Sequence, residues 1–494
     1  MNDLRELVKI VTTRGQKNFP LLELKTKNPN KEVDLFHLIR TGQCESDHQA
    51  AALMYKTLPN DPRIKMLKSR LRKKLLNHLF FLDFTDQSLK ISHRYEQKSL
   101  ALLFQARTLM NEGESTISAS LLRTALALAE EAEFTQIIID CYQLLLENYS
   151  LSSSSTNFYK TKSTLAKYRA LAALEQEAAD LYYTSRLELN KSVVAKNKYL
   201  EKLKNVVQKL EALWTKTNSA NIFDFYYKLS ISLHELTGNF DEILKTTANI
   251  EKLLQKGKIN KKRFDERYNK FINVYAYLRV KEYEKGLVAA ASYVQVFNRS
   301  TNNWFAFMEN YFLLAMHAGK YDQAAKLYGE VMRNTSYKKI SRTAQERWSL
   351  YGTYLYFVNP SDEFIKQSNY RKLMGSVPEH SKDKQGFNVA ILILQFMYFV
   401  RSQDTDALNY RIDSLKKYAD RHLKHQLSKR NLLFFKLLVL LVKENLDYDQ
   451  AKKKGEPLLH RLKNTPVPGD AYAEIEIMPY EHLWTLILKM LKDQ

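Results

Sequence analysis

Residues 305–333 read FAFMENYFLLAMHAGKYDQAAKLYGEVMR. Apolar residues recur at intervals of three and four on each side of the central HAGKYD, which is the spacing of one helix face. Gly319 can adopt the left-handed backbone that ends many helices. The stretch therefore predicts two helices joined by a tight turn, and the small side chain of Ala324 would let a neighbouring helix approach closely.

Three other turns share this arrangement of a turn residue followed, two or three positions later, by an aromatic residue: GNFDEI from Gly238, KEYEKG from Lys281 and NLDYDQA from Asn445. Phe240, Tyr283 and Tyr321 are 43 and then 38 residues apart, within the spacing of about 34 to 47 residues that helical-pair repeats show. In the fourth turn, Tyr448 and Ala451 take the aromatic and small positions. Because a helix pair buries only one face, the recurrence predicts stacked pairs.

These turns resemble the turn between the two helices of tetratricopeptide repeats. The best unit is residues 305–333, in which four residues match the family's turn glycine, aromatic, small residue and second-helix aromatic: Gly319, Tyr321, Ala324 and Tyr328. Its first helix departs from the family at Met308, Tyr311 and Phe312. The resemblance covers about a third of the chain and implies a right-handed superhelical α-solenoid of helix-turn-helix repeats, with an irregular helical cap at the N-terminus.

The composition also favours an all-α protein. The 494 residues include only 13 Gly and 10 Pro, against typical usage of about 7% and 5%, which makes sheet folds with many turns improbable. We expect more than about 70% helix and no sheet. The two most apolar stretches, residues 390–400 and 432–442, fall short of the about 20 residues of a membrane span and are predicted to be core helices.

The chain is predicted to have three parts: an irregular, basic helical region over residues 1–95, helical repeats over 96–374, and further repeats over 387–494. The segment 375–386, GSVPEHSKDKQG, is the predicted hinge between the last two. The first 19 residues indicate an amphipathic helix rather than a signal peptide. Two cysteines without a CxxC spacing give no disulfide framework, so we expect a cytoplasmic protein.

A net charge of +22 favours anionic partners. The densest basic segment, residues 63–74, has no acid and places its cations around an apolar stripe of Ile64, Leu67, Leu71 and Leu75. Its seven cations are Arg63, Lys65, Lys68, Arg70, Arg72, Lys73 and Lys74. A solvated helix face, contact with nucleic acid or the ribosome, and contact with an acidic protein all remain open for this helix.

Two further basic clusters, and one acidic stretch, make the charge uneven along the chain. The second cluster flanks a turn at Gly257 and consists of Lys256, Lys258, Lys261, Lys262 and Arg263. The third spans residues 411–430. Residues 101–150 instead hold seven acidic and two basic side chains.

The sequence contains no phosphate-binding loop, dinucleotide fingerprint, zinc-protease motif or nucleophile elbow, and we predict neither a catalytic site nor a cofactor. His422 and His425 lie in a strongly basic context and are interpreted as part of a solvated face rather than as metal ligands. Asp404 and Asp406 are interpreted as turn residues, and Cys44 and Cys141 as packing residues. The predicted function is a non-enzymatic scaffold for protein–protein interaction, and the alternative is association with RNA, DNA or the ribosome through the basic helices.

Overall fold

The computed structural model describes residues 30–82, 84, 89–152, 154–191, 193–358, 387–418, 429–465 and 476–493. Within these ranges 82% of the residues are helical and none forms a strand, so the predicted all-α class is confirmed there. The predicted N-terminal amphipathic helix and the hinge at 375–386 lie outside the described residues.

The chain divides into two compact units, Met1–Gln176 and Glu177–Gln494. The first unit contains α1 (Lys31–Arg40), α2 (Asp47–Tyr55), α3 (Pro62–His78), α4 (Ile91–Asn111), α5 (Ser115–Glu131) and α6 (Thr135–Leu151). The boundary falls within α7 (Ser155–Leu189). The predicted boundary near residue 95 lies inside α4, and the three-part division stays a prediction.

The second unit continues with α8 (Val193–Thr217), α9 (Ala220–Leu236), α10 (Phe240–Gln255), α11 (Glu266–Arg279), α12 (Tyr283–Tyr293), α13 (Asn302–His317), α14 (Tyr321–Met332) and α15 (Arg342–Val358). It ends with α16 (Phe387–Ser402), α17 (Thr405–Tyr418), α18 (Lys429–Lys443), α19 (Tyr448–Lys463) and α20 (Tyr480–Lys492). The two most apolar stretches of the sequence lie in α16 and α18, where residues such as Phe396 and Phe434 are fully buried. The prediction that they are core helices is confirmed.

Neighbouring helices pack against each other in both units. In the first unit α5 contacts α4 and α6, and α4 also reaches α6. The core between them includes Ala106, Ala125 and Cys141, none of which is exposed. In the second unit each helix from α8 to α15 contacts the next, and α11 also contacts α13.

Five turns between successive helices share one backbone geometry. A residue with positive φ ends each first helix: Gly113, Glu133, Gly238, Lys281 and Gly319. The next residue has φ between −88° and −85° and ψ between 59° and 78°, and the second helix then begins. Its N–H donates to a carbonyl oxygen five residues earlier at 2.8 to 3.1 Å, which satisfies a helix end that would otherwise lack partners. The predicted turns at Gly238, Lys281 and Gly319 are confirmed.

The predicted aromatic residues begin their helices. Phe240, Tyr283, Tyr321 and Tyr448 are the first residues of α10, α12, α14 and α19. Phe240 packs its ring edge-on against Tyr275 of α11, and Tyr283 packs edge-on against His317 of α13. Both aromatic residues therefore contact the next helix along the chain, as stacked pairs require.

Small residues allow the close approach that the sequence predicts. Ala324 and Ala451 are fully buried. Gly352 of α15 lies against Tyr328 of α14, where an added Cβ would come within 2.6 Å of the Tyr328 Cζ atom. Gly286 of α12 is equally close to Leu314 of α13. Side chains of neighbouring helices thus occupy the space that a Cβ would need.

The C-terminal residues contact helices far back in the chain. The His317 Nε2–H donates to the carbonyl oxygen of Glu476 at 2.6 Å, and the Tyr321 hydroxyl lies 3.1 Å from Nδ1 of His482. Burial lowers the pKa of His317 to about 4, so its imidazole is neutral at pH 7. In a simple repeat array each repeat touches only its neighbours, and these contacts depart from that rule.

Arg430 at the start of α18 holds this C-terminal region together. Its side chain is 2% exposed and pairs with Glu476 at 2.5 Å and with Glu481 at 2.9 Å. It also donates to the carbonyl oxygens of Leu462 and Thr465 at 2.7 and 3.0 Å. Burial raises the pKa of the Glu476 carboxyl, and the Arg430 guanidinium opposes that rise.

We predict that Gly352→Ala destabilises the protein by about 1 to 3 kcal/mol, the usual cost of overpacking, although alanine favours a helix interior over glycine by about 1 kcal/mol. Gly329→Ala is the matched control, because a Cβ there meets only the flexible end of Arg333 at 3.3 Å. Chemical denaturation would give both unfolding free energies. Equal stabilisation by the two substitutions would contradict the close contact between Tyr328 and Gly352.

We predict that Arg430→Met lowers the free energy of unfolding by about 3 to 5 kcal/mol at pH 7, because it leaves Glu476 buried without its cation. The unopposed rise in the Glu476 pKa makes the carboxyl neutral more readily, so the loss should shrink as the pH falls towards 5. The control is Arg342→Met, which breaks an exposed pair with Glu346 and should cost no more than about 0.5 kcal/mol. A loss independent of pH would argue against a charged Glu476 in the variant.

Candidate interaction surface

α3 presents the densest group of cations predicted from the sequence. The helix begins at Pro62, and the Asp61 carboxylate accepts the Arg63 backbone N–H at 2.8 Å. Hydrogen bonds from the Arg63 side chain and backbone lower the pKa of Asp61 to about 2. Ile64, Leu67 and Leu71 are buried, and Leu67 and Leu71 pack against apolar residues of α1 and α2. The predicted stripe is confirmed up to Leu71.

Four of the seven cations of α3 are paired with carboxylates. Asp61 precedes the helix, whereas the other two acids come from α1 and α2. The pairs are Arg63–Asp61 at 2.8 Å, Lys68–Asp47 at 2.6 Å, Arg70–Glu32 at 3.2 Å and Lys74–Glu32 at 2.7 Å. Residues 63–74 contain no acid, but acids from neighbouring segments neutralise part of the positive charge of this helix.

The other three cations, Lys65, Arg72 and Lys73, are exposed and form no ion pair with the residues that the structure describes. Lys65 and Arg72 are seven residues apart and Leu76 follows four later, so all three project from one side of the helix. Among the paired cations, Lys68 lies nearer the buried stripe. The others, Arg63, Arg70 and Lys74, lie on the side of the helix opposite to Lys65 and Arg72. The ion pairs thus divide α3 into a neutralised face and a cationic one.

The C-terminal end of this cationic face is apolar. Leu76 is 52% exposed, and the 3₁₀ turn Leu79–Phe81 that follows α3 has Phe80 at 76% and Phe81 at 70%. The Phe80 ring lies 6.0 Å from that of Phe104 on α4, which is 62% exposed. Contiguous exposed apolar side chains of this kind mark interaction sites.

We define the α3 surface as the exposed side chains of Lys65, Arg72, Lys73, Leu76, Leu79, Phe80 and Phe81. Leu75 was predicted to belong to the buried stripe, but it is 37% exposed, so the packing against α1 and α2 ends before it. The run LLNHLFF over residues 75–81 was the available signal for the apolar part, since its leucines and phenylalanines exceed what one helix face can bury.

A shallow groove lies beside α1 and α2 in the same unit. It encloses about 440 Å³ and is lined by Lys31, Asp34, His37, Leu38, Leu53 and Met54, among others. The Lys31 ammonium sits 3.9 Å from the centre of the Tyr55 ring, and the Arg63 guanidinium is 5.0 Å from it. The lining mixes charges of both signs and has no fully buried polar group aimed into it, so we assign it no ligand.

The other predicted basic clusters differ from α3. The second lies in the loop between α10 and α11, where Arg263 hydrogen-bonds to Asn221 and Asn260 accepts the Lys262 backbone N–H at 2.9 Å. In the third cluster, Arg411 and Arg430 at the two ends are buried, so they add no exposed charge. Residues 419–428 of this cluster lie outside the described part of the chain.

A row of lysines on α8 was missed by the sequence analysis. Lys202, Lys209 and Lys216 are exposed and follow each other at seven-residue intervals, about 10.5 Å along a helix. Lys209 pairs with Glu177 at 2.6 Å, and Glu201 lies on the same helix. These acids reduce the positive charge of the row, so it is a weaker candidate than the α3 surface.

The remaining candidate residues that the structure describes have capping or packing roles. The Asp404 carboxylate accepts the Ala407 N–H at 3.0 Å and caps α17, as predicted. Cys44 and Cys141 are buried free thiols, and burial raises the pKa of Cys141 to about 12. His422 and His425 lie outside the described residues. Every helix in the described ranges is too short or too polar to span a membrane.

Comparisons with family models, with curated proteins and with solved structures found no match to this chain.

Proposed function

We propose that this protein is a non-enzymatic helical-repeat scaffold that binds a protein partner through the α3 surface. The observation that carries the proposal is the row of exposed leucines and phenylalanines at the end of α3, next to cations that have no carboxylate partner among the described residues. Apolar and aromatic side chains surrounded by charged ones are the usual composition of a protein interface.

The repeat architecture is part of the proposal. It is supported by the five turns of one geometry, by the aromatic residues that begin α10, α12 and α14, and by contacts between successive helices. The resemblance to tetratricopeptide repeats rests on these same features. A solenoid built from such pairs would offer an extended surface to a partner.

We predict that wild-type protein retains a defined set of proteins from a native lysate, and that Leu76→Ser/Phe80→Ser loses them. Both side chains are exposed, so folding should survive. Leu187→Ser/Val288→Ser, which alters two exposed residues of the second unit, is the matched control and should retain the set. Retention that disappears after nuclease treatment, or is equal in all three proteins, would contradict the proposal.

Association with RNA, DNA or the ribosome is the second candidate, favoured by the three unpaired cations of α3. If this candidate is right, a variant with Gln in place of Lys65, Arg72 and Lys73 should depend less on salt. The slope of log affinity for nucleic acid against log salt concentration should fall by about 0.7 to 0.9 per lost phosphate contact. Changing Lys204, Lys252 and Lys326 to Gln makes the same charge change at exposed positions elsewhere and serves as the control. Absence of binding at low salt, or equal slopes in the two variants, would exclude α3 as a polyanion site.

A further inference from the structure

We infer that the occupant of the α3 surface is an acidic amphipathic helix of a partner protein. Its carboxylates meet Lys65, Arg72 and Lys73, and its apolar side chains cover Leu76 and Phe80. This inference rests on the proposed function and adds the chemistry of the partner.

The acidic character follows from the ion pairs. Three carboxylates of the first unit satisfy Arg63, Lys68, Arg70 and Lys74, whereas the cations on the solvent face of α3 have none within the described ranges. A partner that brings carboxylates to this face gains charge-assisted contacts without breaking an existing pair. It also associates faster at low salt, because opposite charges steer the encounter.

The amphipathic character follows from the order of residues along α3. Met66, which is 60% exposed, lies among the cations. The contiguous exposed apolar group follows them from Leu75 and Leu76, the latter eleven residues after Lys65 and about 16 Å further along the helix. Phe80 and Phe104 extend the apolar area onto α4. The bound segment therefore carries acids at one end and apolar residues at the other, which also sets its direction.

A helical partner fits this surface better than an extended one. Peptides that bind as strands add to the free edge of a sheet, and the described part of this protein has no strand. A helix laid along α3 and α4 instead uses side chains at intervals of three, four and seven residues, which is also the spacing of Lys65, Arg72 and Leu76.

Charge disfavours occupants from the chain itself. Residues 1–29 contain six Lys or Arg and three Asp or Glu, and the whole chain has a net charge of +22. The N-terminal segment would bring further positive charge to a cationic face, which costs free energy. A second copy would bring opposite charge only through its acidic stretch, residues 101–150, so self-association is one of the outcomes measured below.

Two other classes of partner account for only part of the surface. A phosphate backbone neutralises the cations but leaves the leucines in water, since bases stack on aromatic rings and not on Leu76 or Leu79. A membrane would cover the apolar group, but so few side chains at the end of one helix give only weak insertion. An acidic amphipathic helix uses both parts of the surface.

The test uses full-length protein and an 18-residue fluorescent peptide designed as a helix, with glutamates in one half and leucines on one face of the other half. Two matched peptides separate the contributions: one with every Glu replaced by Gln, and one of identical composition in scrambled order. Oligouridine RNA and anionic lipid vesicles are the other probes, and sedimentation velocity reports self-association.

We expect the acidic peptide to bind wild type, and both matched peptides to bind at least about tenfold more weakly. Leu76→Ser/Phe80→Ser should weaken binding by about tenfold or more, as loss of central apolar contacts does. Changing Lys65, Arg72 and Lys73 to Gln should give a similar loss at low salt that disappears at high salt. The controls should bind as wild type does: Leu187→Ser/Val288→Ser, and the change of Lys204, Lys252 and Lys326 to Gln.

Several results would overturn the inference. Equal binding of the acidic and scrambled peptides, or no effect of the α3 variants, would mean that the contact is unspecific or lies elsewhere. Tighter binding of RNA or vesicles with the same dependence on α3 would assign the surface to those partners, and concentration-dependent self-association lost in the α3 variants would assign it to a second copy. If no peptide binds while lysate capture still requires Leu76 and Phe80, the proposed function stands and the partner chemistry is wrong.

Discussion

A helix in this protein has more apolar surface than one neighbour can cover, and the rest of the structure follows from that constraint. α5 contacts both α4 and α6, and each helix from α10 to α14 likewise contacts the helix before it and the helix after it. Hydrophobic burial is worth about 25 cal/mol per Å², so each uncovered face favours the next helix in line. At the end of α3, where none of the described helices covers them, the leucines and phenylalanines remain exposed.

The buried Arg430 shows how a polar group within this packing finds hydrogen-bond partners. Five donors of its guanidinium are used by two carboxylates and two carbonyl oxygens. A buried ion pair of this kind adds little net stability, because desolvation offsets the Coulombic attraction. Removing one partner of the pair is costly, because it leaves the other charge buried and unpaired. The neutral His317 joins the same region to α13.

Pairing of cations with carboxylates also determines the charge of the α3 surface. Glu32 is 8% exposed and is held between Arg70 and Lys74, so two cations are neutralised by a single acid on α1. The cations that remain, Lys65, Arg72 and Lys73, form no ion pair with the described residues. The functional proposals depend on this separation, because a uniformly basic helix would favour phosphate, whereas a short cationic row beside exposed leucines favours a protein.

The amino-acid sequence by itself determined the helical class and the positions of the turns, because both depend on residues close together in the chain. Gly238 and Gly319 end their helices in the left-handed region, and Phe240 and Tyr321 begin the next ones. The tertiary structure alone decided which cations are neutralised, where the stripe of α3 ends, and that His482 meets Tyr321, 161 residues away. Such contacts depend on the relative placement of whole helices, which residue spacing within one helix does not encode.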